Sequence, residues 1–449
     1  MAPRTAVHQC VAPNTMRILY NIVFIIFGMF YLPYLVVTRR YRYGMKDRFG
    51  FLPENIRALC AKKSIIWIHA VSVGEIKAAG ILAPFLRKAF PSHALLFSTV
   101  THTGNKIART IAAPGEGVFY LPFDISFITD KVVKIINPEI FICMETELWP
   151  NLIDSLDSSG ARIVLANGRI SNRSYSRYKK ARFLISGLLK KFSLILMQSA
   201  QDAKRIIALG APGEKVFVTG NLKFDIPIIN LDSKRQELRK KLNLNENDIL
   251  IVAGSTHRGE EAQIIDCYSK LKREYKNLRL LIAPRHVERT EEIEKLLAKS
   301  NLKSMRISAE RMHLNERALS GATPLSHEPV FVLDTMGELR SMYSAGDIVF
   351  VGGSLVKKGG QNPIEPASAA KPIIFGKYTF NFQDVIKIFL ENDTGIEVDD
   401  KKGLYSALRF LIDNPEERKR LGMNAKDTIN KNSGSSQRTI DLILNFPST

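Results

Sequence analysis

The 449-residue chain is poor in the residues that staple or metallate a fold. Its four cysteines, Cys10, Cys60, Cys143 and Cys267, lie far apart, and none belongs to a CxxC pair. Neither a disulfide framework nor a structural zinc site is expected from them. Cys143 falls in an apolar strand pattern and reads as a buried reduced thiol, which points to a reducing compartment. The eight histidines are scattered, with no HExxH and no EF-hand loop, so a metal site has no support. No GxGxxG follows a strand and no GxxxxGK[ST] occurs, which argues against a dinucleotide oxidoreductase and a P-loop NTPase. Negative charge is scarce as well: 44 Asp and Glu face 64 Lys and Arg, for a net charge of +20. Such a surplus implies an anionic partner, either nucleic acid or an anionic lipid surface.

What is present is otherwise ordinary for a globular protein, with 45% hydrophobic and 24% charged residues. The length suits two or three domains. One long apolar run stands out at 18–37, ILYNIVFIIFGMFYLPYLVV. Without a charge over about 20 residues, it is long enough to cross a bilayer as a helix. Tyr20, Tyr31 and Tyr34 fit interfacial positions, and Pro33 allows a kink or a helix that lies shallow instead. Arg39, Arg40, Arg42, Lys46 and Arg48 follow it, whereas only Arg4 and Arg17 precede it. This asymmetry puts the C-terminal side in the cytoplasm. No small-residue cleavage site follows, so the run reads as an uncleaved transmembrane signal anchor after an N-terminal extension, 1–17. A buried core helix is the other reading. Anchor and basic charge together favour a membrane-surface enzyme over a nucleic-acid binder.

Beyond the anchor, short apolar strands alternate with helical patterns. Strands are expected at 65–70, 95–98, 118–121, 140–144, 163–167 and 194–198, a βαβ series that implies a parallel sheet. The stretch 65–77, IIWIHAVSVGEIK, reads as strand, Gly turn and helix. It places Glu75 where open α/β sheets bind ligands, although a first-turn carboxylate also matches a helix dipole. The strand at 140–144 runs into Glu145-Thr146-Glu147-Leu148-Trp149, and Pro150 opens the next helix. Glu145 and Glu147 are either site carboxylates or solvated loop residues. His69 reads as a hydrogen-bonded packing residue. The stretch 170–192 interleaves Arg173, Arg177, Lys179, Lys180, Arg182, Lys190 and Lys191 with aromatic and aliphatic residues. It suits an anionic membrane surface or a phosphorylated lipid headgroup, or is an ordinary solvated face.

The first domain is expected over 38–225, a linker at 226–232, a second α/β domain over 233–430 and a tail at 431–449 that can return to the first domain. Lys223, beside the seam, would face an interdomain cleft, where a cation can neutralise a leaving phosphate. In the second half, strands at 249–253, 278–283, 330–333 and 348–351 each end in small or polar residues, several before helix N-termini suited to phosphate. Pro363 pre-sets a helical turn from which Glu365 points, and a carboxylate there can accept from a ribose diol.

Two open sheets in series match the GT-B architecture of glycosyltransferases: two Rossmann-like parallel-sheet α/β domains, here preceded by an anchor helix. The segments His69–Glu75, Glu145–Asn151, Gly254–His257, Ala283–His286 and Gly360–Pro366 together resemble those of 3-deoxy-D-manno-octulosonic acid (Kdo) transferases, in the same order along the chain. The resemblance implies inverting transfer of Kdo from CMP-Kdo to lipid IVA, the lipid A precursor, at the cytoplasmic face of the inner membrane. It implies Glu75 as proton acceptor and Glu145 and Lys223 as transition-state stabilisers. Pro284, Arg285, Met336, Gly337, Glu338, Asn362, Pro363, Ile364 and Glu365 would hold CMP. No metal, no cofactor and no nucleic acid partner is implied. Another GT-B transferase using a UDP- or ADP-sugar is an alternative, as is a membrane-anchored protein that binds anionic lipid without catalysis.

Overall fold

The computed structural model describes residues 13–37, 43–226, 231–308 and 329–446. The chain divides into two compact units, Met1–Asp225 with Ser433–Thr449, and Ile226–Asn432. Each is built on a seven-stranded sheet whose strand pairs are all parallel.

In the first unit the strands are β1 Ser64–Ala70, β2 His93–Thr99, β3 Gly117–Tyr120, β4 Ile140–Met144, β5 Arg162–Gly168, β6 Leu194–Met197 and β7 Val216–Val218. They lie in the order β3-β2-β1-β4-β5-β6-β7. Six residues of β1 in a row are buried, because helices cover both faces of a parallel sheet and its strands must be apolar throughout. Alternate residues then serve opposite layers. Trp67 and Phe141 pack under the helices Ser126–Ile136, Pro150–Ser158 and Arg182–Leu189. Ile66, Ile68 and Ile142 pack under Val73–Ala89 and the C-terminal helix Ser435–Asn445. That last helix is locked to the first unit at both ends. The Asp225 carboxylate accepts from the N–H groups of Gly434 and Ser435 at 2.6 and 3.2 Å. Arg162 donates to the carbonyls of Ile443 and Phe446.

The second unit holds β8 Ile249–Thr256, β9 Leu278–Pro284, β10 Ser304–Arg306, β11 Val330–Val332, β12 Ile348–Val351, β13 Ile373–Gly376 and β14 Gly395–Val398. Their order is β10-β11-β9-β8-β12-β13-β14. Chain direction across each sheet reverses once at its centre, between β1 and β4 and between β8 and β12. These are the switch points outside which open α/β sheets bind ligands.

Several expectations change. The apolar run at 18–37 folds as part of a longer helix, Pro13–Val37, but among the described residues no helix is long and apolar enough to cross a membrane. The basic stretch at 170–192 is two helices, Asn172–Lys180 and Arg182–Leu189, broken at Ala181. A helix starting at Leu231 shortens the expected linker, of which 227–230 lie outside the described residues. Residues 1–12 of the N-terminal extension, and Arg39, Arg40 and Arg42, also lie outside them.

Candidate active site

At the first switch point, β1 ends at Ala70 and the helix Val73–Ala89 begins after two intervening residues. Ser72 caps it, its hydroxyl accepting from the Glu75 N–H at 3.2 Å. The Glu75 carboxylate turns back and accepts from the Val71 N–H at 2.7 Å. This reciprocal cap fixes a carboxylate that is only 6% exposed.

Neighbouring β4 delivers two more carboxylates. Glu145, the first residue past the strand, has a left-handed backbone with φ 55°, which a side-chain-bearing residue adopts only when its surroundings hold it there. Its N–H still donates to the Ala166 carbonyl of β5 at 2.9 Å. The loop is tied further by the Cys143 thiol, which donates to the Glu147 carbonyl at 3.0 Å, and by the Thr146 hydroxyl, which donates to the Arg169 carbonyl at 2.5 Å. Burial pushes the Glu147 carboxyl up to about 7, helped by the negative charges of Glu75 and Glu145. The same surroundings, burial first, hold the Cys143 thiol well above its ordinary value. The three glutamates therefore share one space at the ends of β1 and β4. His69 behaves as expected of a packing residue: fully buried, it bonds to the Ser98 hydroxyl at 2.9 Å, and burial lowers it to about 3.

Lys223 sits on the turn Leu222–Phe224, whose Leu222 is buried in the same core layer as Ile76 and Ala79 of the Val73–Ala89 helix. The Leu222 N–H donates to the Asn167 side chain at 3.0 Å, and the Lys223 N–H to the Asn221 side chain at 3.0 Å. The turn is thus fixed from the end of β5.

The second switch point is built around one buried carboxylate. Glu260 accepts from the N–H groups of His257 and Gly353 on one oxygen, at 2.9 and 2.7 Å. On the other it accepts from Ser354 and Leu355, at 3.0 and 2.9 Å. It so joins the loop after β8 to the loop after β12. The loops touch closely: a Cβ on Gly352 would meet the Ser255 carbonyl oxygen at 2.4 Å, so only glycine fits. His257 meets the Gln361 amide at 3.1 Å. Burial lowers its imidazole, and the positive charges of His286, Lys358, Arg285 and Arg289 lower it further. Arg289 is engaged with Glu261 and Glu292; Arg285 and His286 are exposed.

Pro284 ends β9, and the Arg285 N–H donates to the Thr256 carbonyl at 3.0 Å. Asn362 accepts from the Ile364 N–H and donates to the Glu365 carboxylate, each at 3.1 Å. Pro363 caps the short helix Ile364–Ser368. Met336 is 74% exposed, Gly337 takes a positive φ of 85°, and the Thr335 hydroxyl donates to Glu338. All of these residues lie at or just past the carboxyl ends of strands of one sheet. Among the described residues no group of three His, Cys, Asp or Glu could hold a metal ion. No sequence motif marks Glu260, or Asp124, whose carboxylate accepts from the Asn151 and Leu152 N–H groups beside the Glu145 loop. Their partners are backbone N–H groups, which leave no mark in the sequence.

Residues 43–226 match the family described as 3-deoxy-D-manno-octulosonic-acid transferase (kdotransferase). The 3-deoxy-D-manno-octulosonic acid transferase of Haemophilus influenzae is 37% identical over 415 residues, 91% of this chain and 92% of that protein. The enzyme of the same name from Chlamydophila psittaci is 31% identical over 409 residues, 89% of each. Among solved structures, a glycosyltransferase of Rickettsia africae is similar in fold, with a TM-score of 0.52 at 14% identity, covering 86% of this chain and all of the other.

Proposed function

The chain belongs to the 3-deoxy-D-manno-octulosonic acid (Kdo) transferase family and is a glycosyltransferase; on that premise we propose that it moves Kdo from CMP-Kdo to lipid IVA, inverting the anomeric centre, with Glu75 as general base. The observation that carries this reading is the carboxylate cluster at the first switch point. Burial and the charges of Glu75 and Glu145 keep a proton on Glu147 towards neutral pH. Glu75, fixed by the Val71 N–H at the end of β1, is the carboxylate assigned to take the acceptor's proton.

An acceptor hydroxyl is a weak nucleophile, so a fixed carboxylate takes its proton as the new bond forms. Attack opposite the departing CMP inverts the sugar carbon. Glu145 faces the positive character that develops there, and Lys223 meets the phosphate as it leaves. In the second unit, Arg285 and the positive groups around His257 attract the phosphate. Glu365, oriented by Asn362, accepts from the ribose hydroxyls, and Pro284, Met336–Glu338, Pro363 and Ile364 frame the nucleotide. The surplus of positive charge suits a bisphosphorylated lipid acceptor presented at the cytoplasmic face of the inner membrane.

The test is to incubate the purified protein with CMP-Kdo and lipid IVA and to weigh the lipid product by mass spectrometry. Added Kdo mass that disappears in Glu75→Gln supports the reading. Transfer from a UDP- or ADP-sugar instead, or no turnover at all, rejects it.

A further inference from the structure

The helix Pro13–Val37 is held to the first unit along one edge. The Arg17 guanidinium donates to Asp130 at 2.6 Å, to the Ser155 hydroxyl at 3.2 Å and to the Asn151 side chain at 3.3 Å. One turn on, the Asn21 amide donates to the Ser126 hydroxyl at 2.8 Å. Its oxygen accepts from the Asn151 amide at 2.8 Å and the Ser126 N–H at 3.2 Å. Arg17, Tyr20, Asn21, Phe24 and Gly28 form a partly buried stripe at helical spacing. Ile18, Leu19, Ile22, Ile25, Ile26 and Met29, on the other side, are 45–68% exposed.

Beyond the helix the chain meets the same unit again. Tyr43 stacks on His102 with ring centroids 3.6 Å apart, and Asp47 accepts from the Tyr120 N–H at 3.0 Å. A helix of 25 residues is about 37 Å long, and a bilayer core is about 30 Å thick. Were 18–37 to span, Arg17 and Tyr43 would stand on opposite sides of that core, and one folded unit could not bind both.

We propose that this helix is an in-plane membrane element, not a spanning one. It lies along the first unit with its apolar face in one leaflet of an anionic bilayer and both of its ends on the side of the sheet. This rests on the membrane acceptor proposed above. The leaflet is the occupant that the charge favours. The helices Ser126–Ile136 and Pro150–Ser158 that hold the stripe cover the same sheet face as Arg182–Leu189. On that last helix Phe183 is 81% exposed and Arg182 is exposed, and the preceding helix carries exposed Arg173, Arg177, Lys179 and Lys180. Exposed apolar side chains accompanied by exposed cations mark an interfacial surface. The clamp also has a mechanistic reach. Asn151 belongs to the first turn of the helix that follows the Glu145–Trp149 loop, so the plane of the bilayer is fixed relative to the acceptor carboxylates.

The full chain, reconstituted into phosphatidylethanolamine–phosphatidylglycerol vesicles, tests this. In Ile25→Trp, the added fluorescence should be quenched more by lipids brominated high in the acyl chain than by lipids brominated at its end. A protease that cannot cross the bilayer should remove an N-terminal tag from intact vesicles to the same extent as a C-terminal tag. Strongest quenching from the bilayer centre, or an N-terminal tag protected until detergent is added, overturns the proposal. Quenching by neither lipid in a chain that sediments as a dimer also overturns it, because a second copy then covers the face. Absence of vesicle binding overturns it too. Kdo transfer to detergent-dispersed lipid IVA, measured alongside, reports separately on the proposed activity.

Discussion

Glu75 and Glu147 stand past the ends of two adjacent strands, and the charge of Glu75 is one of the forces that keep a proton on Glu147. Burial is the larger force, and together they raise the Glu147 carboxyl from 4.5 to about 7. A carboxyl raised in the folded state favours folding in acid. That contribution is complete below about pH 4.5 and is lost as the pH rises through about 7. Glu147→Gln keeps the neutral shape at every pH. Its unfolding free energy should match that of the parent near pH 4.5 and exceed it at pH 8, by on the order of 3 kcal/mol, with the melting temperature moving in the same direction. Equal offsets at both pH values would mean that Glu147 is not held protonated.

Glu75→Gln separates catalysis from capping. The amide oxygen can still accept from the Val71 N–H, so stability should change by less than about 1 kcal/mol. Loss of the proton acceptor should slow Kdo transfer by about 10² to 10⁴. Transfer rate and melting temperature, read on one preparation, decide between base and cap. Full activity with a lowered melting temperature would reduce Glu75 to a capping residue.

Much of this was legible in the chain. β4 begins and ends where Ile-Phe-Ile-Cys-Met gives way to Glu145, because a parallel strand covered on both faces must be apolar and a charge must end it. The position of Glu75 was legible for a similar reason: a β-branched run, a turn and a helical repeat put a carboxylate just past a strand end. β10, Ser304–Arg306, was not, since it is a partly exposed three-residue strand without an apolar run. Nor was the adjacency of β1 and β4, which brings Glu147 to Glu75, because strand order arises from long-range packing. At 18–37 the length of the apolar run suggested a span. The spacing of Arg17, Asn21, Phe24 and Gly28 held the other answer, a helix with one edge turned to protein.

Arg285→Ala and Glu365→Ala should each weaken CMP binding, while Glu75→Ala leaves it nearly intact. The first two lie past the strand ends of the second unit, and Glu75 belongs to the first. Removing a charge-assisted hydrogen bond costs about 1.5–3 kcal/mol, roughly ten- to a hundredfold in affinity. Calorimetric titration of CMP measures it. Unchanged affinity in both variants would move the nucleotide away from β9 and β12.

Glu260 offers the sharpest test of how the second unit holds its loops. Its carboxylate receives four backbone N–H groups, two on each oxygen. Burial raises the carboxyl, and those four donors oppose the rise by favouring the charged form. In Glu260→Gln one oxygen becomes an NH₂ that faces two donors and can accept from neither. At least two buried N–H groups then lose their partner, at about 1–3 kcal/mol each. The Gly352–Leu355 loop, held in close contact with Ser255 by these bonds, should loosen and take the β8 loop with it. The variant should therefore lose on the order of 2–6 kcal/mol of stability and more than tenfold in CMP affinity. Glu292→Gln is the control. That carboxylate pairs with Arg258 and Arg289 at the surface, where water screens the pair, so its loss should leave both stability and CMP binding nearly unchanged. Chemical denaturation and CMP calorimetry on both variants give the comparison. A Glu260→Gln protein that is destabilised yet binds CMP as well as the parent would show that the loops it joins do not shape the nucleotide site.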